Sequence, residues 1–446
     1  MAWPFVTSLL HRVAKPIQTA KRSFDGATGG RRGFGLRRFG PINSEVAAGG
    51  STLRARARHL AVNNPLIASG VRNLAVSLTG AGIVPTSLAK GKRRKAQMAR
   101  AWQAFCRVAD ADGRTDFNGL QAAVARELIV GGEVFGQIVD GEGDLPALRL
   151  IPPEQVDESM TRPIDGGGYI VQGIEFDAQG RRVAYHVFPH KPTDLFTTYA
   201  PPVRIPAAEM LHIFEPVAAG QVRGVSWLAP VILTASEFDQ LCDALLTGAK
   251  VAAMFAGFLT NVNDTSGEDP FGGDEMPSLE PGTLQKLPGG WDAKFTTPQQ
   301  AQQTGEFVKA QIRQLAAGLG VPSHWLDGDL TGANYSSLRA GLLPVRARCE
   351  QVQYLTIVPQ FLNPIWAEVF PDDQDGADWL PPAWQQVDPL KQVQADAAEL
   401  EAGLTSRRKL IAARGWTIED VDAERAADTH KPAPSKPQPK DKEEDE

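Results

Sequence analysis

The side chains that could do chemistry are few and scattered. The seven histidines are His11, His59, His186, His190, His212, His324 and His430. Only His186 and His190 lie close together. Neither belongs to an HExxH run or stands near a cysteine, so zinc ligation is not indicated, and structural or surface roles are expected for all seven. Cys106, Cys242 and Cys349 are widely separated, odd in number and form no CxxC. They read as buried thiols of a reducing compartment. Neighbouring acids such as Asp372 and Asp373 fall in turn-forming sequence, where solvation is expected rather than acid–base work. No GxxxxGK[ST] loop occurs, and Lys90-Gly91-Lys92 has neither the strand nor the glycines of a phosphate cradle. Gly224-Val225-Ser226-Trp227-Leu228 lacks the second glycine of a nucleophile elbow. The glycines at 29–35 follow no strand and lack dinucleotide-binding spacing. The expectation is a protein with no catalytic residue, no metal and no cofactor, hence not an enzyme.

Charge is the more informative property. The chain has 446 residues, of which 42% are hydrophobic and 22% charged, with a formal net charge of -6. That is a globular composition, long enough for roughly two to four domains at about 150 residues each. The average hides a split. Residues 1–60 hold eleven Arg/Lys and two acids, a local +9, which leaves -15 on the remainder. A basic, glycine-rich arm, 1–50, carries Arg31, Arg32, Arg37 and Arg38 and is expected to be flexible. No run of eighteen apolar residues exists, so no membrane span and no membrane partner are expected. The Phe5, Val6, Leu9, Leu10 patch is too short for a signal peptide, which points to assembly in the cytosol.

The elements that would position any site are set by periodicity and breakers. Ser51 can cap a first helix, with Arg54, Arg56 and Arg58 spread around it, and Asn64-Pro65 breaks it before a second. Met98, Trp102 and Phe105 make one apolar helix face. Asp116 can cap the next helix, which Gly131-Gly132 stops. Short strands are expected at 134–139, 148–151, 169–176, 183–188 and 210–214, with Asp177-Ala178-Gln179-Gly180 as a hairpin turn. Gly224 opens a long amphipathic helix. The acidic stretch 261–282 reads as a surface loop, and short strands are expected within 284–295. A helix spans about 300–318. Another starts near Asn334 or Ser336 and is bent by Pro344, and Pro359, Pro364 and Pro371 break up the next stretch of chain. Lys391 to Ala402 is helical, Gly403 to Ser406 is a break, and Ser406 caps a short helix. The tail 431–446 is disordered by composition.

An ordered set of stretches resembles the lambda-type family of tailed-phage portal proteins. They begin with Arg126-Glu127, Gly131-Gly132-Glu133-Val134-Phe135, Leu150-Ile151-Pro152-Pro153-Glu154-Gln155-Val156 and Gly224-Val225-Ser226-Trp227-Leu228. Further on come the run from Leu315 through Gly320-Val321-Pro322 to Leu326, and the small-polar helix start Thr331 to Arg339. Val387-Asp388-Pro389 to Ala395, Ala402 to Arg407 and Ala413-Arg414-Gly415 complete the set, and the resemblance covers about 50–425.

That resemblance implies an α+β portal fold with a mixed α/β wing, a two-helix stem, a small clip and a short helical crown. By motif order the wing is 51–330, the outgoing stem helix 334–360, the clip 361–388 and the returning stem helix 389–402. The channel-facing tunnel loop is 403–409, the crown 410–430 and the tail 431–446. The implied function is a dodecameric ring at one capsid vertex. It would conduct double-stranded DNA during packaging and ejection and dock the terminase large subunit, the major capsid protein and a head–tail connector or adaptor. Gly403, Leu404, Thr405, Ser406, Arg407, Arg408 and Lys409 would face DNA, an ordinary helix–helix turn being the alternative. Arg346 and Arg348 would face the channel or else solvent. Trp366, Trp379 and Trp384 would serve partner docking in the clip. The basic arm would contact a neighbouring subunit, the capsid or DNA. A virion connector or adaptor without a DNA-facing loop is the alternative function.

Overall fold

The computed structural model describes residues 39–141, 143, 145–189, 200–254, 258–261, 291–294, 301–332, 334–382, 384, 389–412, 414, 416 and 418–428. The arginines named in the basic arm, the acidic stretch at 262–282 and the 431–446 tail lie outside them. The first helix, α1 (Ile42–Asn63), starts well before Ser51 and runs through Gly49-Gly50. Each interior glycine costs a helix about 1 kcal/mol, but tertiary contacts hold this end. Asn43 Nδ2 donates to Gly220 O, Asn43 Oδ1 accepts from Val222 N, and Asn43 O accepts from Gln172 Nε2. Asn64 ends α1 and caps α2 (Pro65–Thr79) by accepting from Ile67 N at 2.9 Å. Pro65 sits at the first helical position, where its missing N–H costs nothing.

After β1 (Val84–Ser87) come α3 (Lys92–Val108), with Met98, Trp102 and Phe105 buried, and α4 (Phe117–Val130). Asp116 caps α4, accepting from Gly119 N at 2.8 Å. β2 (Glu133–Asp140) pairs with β3 (Pro146–Ile151). A second, antiparallel sheet comes next: β4 (Arg162–Pro163), β5 (Tyr169–Val171), β6 (Ile174–Phe176), β7 (Arg182–Val187) and β8 (Val203–Pro206), in sequential order. The run 169–176, expected as one strand, is two. Gln172 (φ 50°) and Gly173 (φ 80°) form a two-residue turn whose positive φ values match the twist of a tight hairpin. The Asp177–Gly180 turn forms as expected. β9 (Met210–Phe214) returns to the first sheet, giving the order β3-β2-β9.

α5 (Ile232–Met254) starts later than Gly224. The intervening residues are tied down locally: Trp227 N donates to Ile129 O, and Ser226 Oγ accepts from Leu228 N. β10 (Phe258–Asn261) pairs with β11 (Trp291–Lys294). α6 (Ala301–Leu319), α7 (His324–Asp327) and α8 (Tyr335–Val352) come after them, α8 being capped by a reciprocal Asn334–Ser337 box. The chain does not break at Pro359 or Pro364. It continues as a π-helical segment (Gln353–Leu362) into α9 (Asn363–Val369). The wider π turn accommodates Pro359, and Pro364 falls in the first turn of α9, where no N–H partner is needed. β12 (Ala377–Leu380) pairs antiparallel with β1, and α10 (Pro389–Glu401), α11 (Arg407–Ala412) and α12 (Ile418–Ala427) complete the order.

The result is a mixed α and β architecture. A large apolar cluster joins α1–α4 and one face of β2 to α5, α6, the 345–366 rod and Trp379. A smaller one lies under the second sheet, with Phe135, Ile151, Ile174 and Tyr185.

Candidate functional site

Four of the stretches that carry the resemblance, 126–127, 131–135, 150–156 and 224–228, meet at one buried ionic hub. Glu133 opens β2 and is fully buried, as are Arg223 (1% exposed) and Arg54 (2%). Arg223 donates through Nε to Glu133 Oε1 (2.8 Å), through Nη1 to Gln172 O (2.9 Å), and through Nη2 to Pro153 O (3.0 Å) and Glu158 Oε1 (3.2 Å). Its guanidinium also lies over the Phe135 ring, 5.2 Å from the centroid. Gly224 N donates to Glu133 Oε2 at 2.7 Å. Arg54 reaches in from α1, donating to Gly131 O and pairing with Glu133 and Glu158. One turn later Arg58 pairs with Glu127 of α4 and with Glu154. Two of the three arginines expected to spread around the helix therefore share one inward face, since residues four apart are neighbours on a helix. Arg56 alone is exposed.

Two glycines make this convergence possible. A Cβ on Gly132 (φ 85°) would meet the Val225 carbonyl carbon at 2.2 Å, and one on Gly224 would meet Gly132 O at 2.3 Å. The two backbones touch, which no side chain permits.

His212 of β9 completes the hub. Its Nε2 donates to Glu133 Oε2 at 2.9 Å, and its ring stacks on Phe135 (4.2 Å) and Phe214 (4.5 Å). Burial pulls the imidazole pKa down to about 4, against the upward pull of Glu133. Burial alone would raise the Glu133 carboxyl, but the Arg223 guanidinium and the His212 hydrogen bond outweigh it and hold it well below the usual carboxylate range. Arg54 and Arg223 balance Glu133 and Glu158. This arrangement clamps segments together. Sequence reasoning singles out these stretches without revealing the cluster. The available signal was a carboxylate at the head of an apolar strand, and an arginine directly before Gly224.

The tryptophans expected to dock partners divide. Trp366 and Trp379 are 4% and 3% exposed and pack with Trp102 of α3, at centroid distances of 5.3 and 5.7 Å. Their indole N–H groups are satisfied internally, by Asp373 Oδ2 (3.0 Å) and Asn363 Oδ1 (2.7 Å). Both rings therefore belong to the core rather than to a docking face. Trp384 is half-buried beneath the Arg346 guanidinium, 5.4 Å from its ring centroid. Arg348 makes a two-armed ion pair with Glu215 and lies over Trp227. Its pKa is raised by the hydrogen bond to Glu215.

The 403–409 stretch is a compact turn and a helix start. Leu404 N donates to Glu399 O and Gly403 N to Leu400 O, with Gly403 at φ 69°. This crossed pair of bonds closes α10 in the manner that favours glycine. Ser406 Oγ accepts from Lys409 N and Ser406 O from Leu410 N, capping α11. Arg407 pairs with Asp422 of α12, whereas Arg408 and Lys409 are exposed. Leu404, at the tip, is 80% exposed. α10 has no buried residue, leaving Leu390, Val393 and Leu400 in solvent.

The sequence profile of lambda-family phage portal proteins matches residues 36–353. The chain belongs to that family. It is 26% identical over 299 residues to the probable portal protein of Halomonas phage phiHAP-1, covering 62% of this chain and 58% of that one. The chain thus aligns with under two-thirds of that relative's length. It is 23% identical to portal protein B of Escherichia phage lambda over 499 aligned positions, covering 92% and 90%. Among solved structures, a chain in the neck of a native gene transfer agent particle computed with C12 symmetry is similar at 15% identity. There the TM-score is 0.49, with 81% of this chain and 91% of that chain covered. An HK97-family phage portal protein from Corynebacterium diphtheriae is similar at 13% identity and a TM-score of 0.35, covering 76% and 96%.

Proposed function

We propose that this chain assembles head-to-tail into a ring of about twelve copies at one capsid vertex. The ring would conduct double-stranded DNA during packaging and ejection. It would dock the terminase large subunit, the major capsid protein and a head–tail connector. Membership of the portal family over residues 36–353 carries this reading.

Two features of the chain support it. A thirteen-residue helix with no buried side chain, such as α10, is marginal alone in water. Neighbouring copies would supply the cover that Leu390, Val393 and Leu400 lack. The 403–409 turn would face the channel, with Arg408 and Lys409 as its free cations. Twelvefold repetition would turn even two such charges into a strong local field. The segment 334–360 would be the outgoing stem and 389–402, which contains α10, the returning one. Docking would fall to Trp384 and the turns around 371–376, because Trp366 and Trp379 are core residues. The basic arm would bridge to an acidic surface on a neighbouring copy.

Negative-stain images of the purified chain test the assembly: rings with a central hole are expected, and a compact monomer or dimer overturns it. For the loop, R408E/K409E is expected to form rings of normal appearance while DNA packaging falls at least tenfold. Normal packaging by such rings removes the loop assignment.

A further inference from the structure

The strongest charge anomaly described in the structure lies neither in the hub nor at 403–409. Residues 90–108 contain Lys90, Lys92, Arg93, Arg94, Lys95, Arg100 and Arg107 and no acid, in a chain whose net charge is -6. They surround α3. Its inner side is set by Met98, Trp102 and Phe105, which are buried. At 100° per residue, Arg93, Arg100 and Arg107 fall almost diametrically opposite. All three are exposed, as are Lys90 and Lys92. Arg94 pairs with Asp373 at 3.5 Å. Among the described residues, Arg93, Arg100 and Arg107 have no acidic partner. A spacing of seven residues sets these arginines about 10 Å apart along one line, over about 21 Å.

We propose that the outward face of α3 is a contact surface for the phosphate backbone of duplex DNA, separate from the 403–409 loop. The composition of the face selects this occupant. Its outward positions are Lys92, Arg93, Ala96, Gln97, Arg100, Gln103, Ala104 and Arg107. Protein interfaces are centred on apolar or aromatic anchors, and this face has none. Phosphate contacts need only cations and hydrogen-bond donors, and the guanidinium fork matches phosphate oxygens. The intervening alanines let a backbone approach closely. The other side of α3 holds Trp102 against Trp366 and Trp379, so the basic face is carried on the body that contains 363–380. The choice of DNA as the occupant rests on the conduit reading.

The test is the salt dependence of binding of a short labelled DNA duplex to the full chain, read by fluorescence anisotropy. Each phosphate contact contributes about 0.9 to the slope of log K against log salt. R93Q/R100Q/R107Q should lower the slope by about 2–3, R100Q alone by about 1, and R93K/R100K/R107K should keep it. Circular dichroism melts confirm that the variants fold. A slope unchanged in the triple glutamine variant overturns the proposal. So does a loss of polyglutamate binding with DNA binding intact, which would indicate an acidic protein occupant. The same preparations are imaged for rings. Rings with an unchanged slope remove the α3 contact alone; a reduced slope without rings removes the portal assembly alone.

Discussion

His212 is the imidazole of the hub, and burial holds its pKa low. Its folded pKa is about 4 against 6.5 for a free imidazole. As pH falls from 6.5 to 4 the unfolded chain takes up a proton that the folded chain refuses, so stability falls with pH. The shift corresponds to roughly 3 kcal/mol. Glu133 acts later, because its folded pKa is depressed. Its contribution is present above the ordinary carboxylate pKa and is lost only as pH falls towards the depressed value. H212Q keeps a donor for Glu133 but cannot titrate. It should lower stability at pH 7 through lost stacking on Phe135 and Phe214, and flatten the profile between pH 6.5 and 4. Urea midpoints at pH 7 and pH 4.5 check this; an equal acid drop in both proteins assigns it to other groups. The hub was not legible in the sequence. Its members come from residues 54, 133, 158, 212 and 223, and no local pattern encodes contacts over such separations.

At the scale of elements, local signals are legible wherever they act alone. The cap at Asp116, the helix start near Asn334, the Met98–Trp102–Phe105 face and the Asp177 turn rest on neighbours a few residues apart, and all four are present. Expectation and structure part where tertiary contacts override a local cost. Asn43 anchors α1 across two glycines, and a π segment carries the rod through Pro359. Tertiary packing also decides the tryptophans of 361–388 expected to dock partners: Trp366 and Trp379 join β12 and α9 to α3. Trp379→Ala should cost about 3–5 kcal/mol, the usual loss for a buried large aromatic. It should also loosen the β1–β12 pair. Denaturant unfolding together with amide exchange at 84–87 checks this. Unchanged stability with a selective loss of partner binding would return Trp379 to a docking role.

The net charge of -6 is a balance of opposed regions. Residues 1–38 carry +7 and residues 90–108 another +7, which leaves -20 elsewhere. In the proposed ring, copies of such a chain would have unlike patches available to pair, and removing one patch should change the sign of the salt response. A chain lacking residues 1–38 keeps α1 and the Asn43 contacts but carries -13. Its copies repel one another, and added salt screens that repulsion, since the Debye length shrinks from about 8 Å at 0.15 M to about 3 Å at 1 M. The full chain instead loses arm-to-body attraction over the same range. Full-length rings should therefore be the more stable at 0.15 M and weaken towards 1 M, while truncated rings are weaker at 0.15 M and strengthen. Mass photometry across a salt ladder reads both curves. Parallel curves would show that the arm carries no subunit contact.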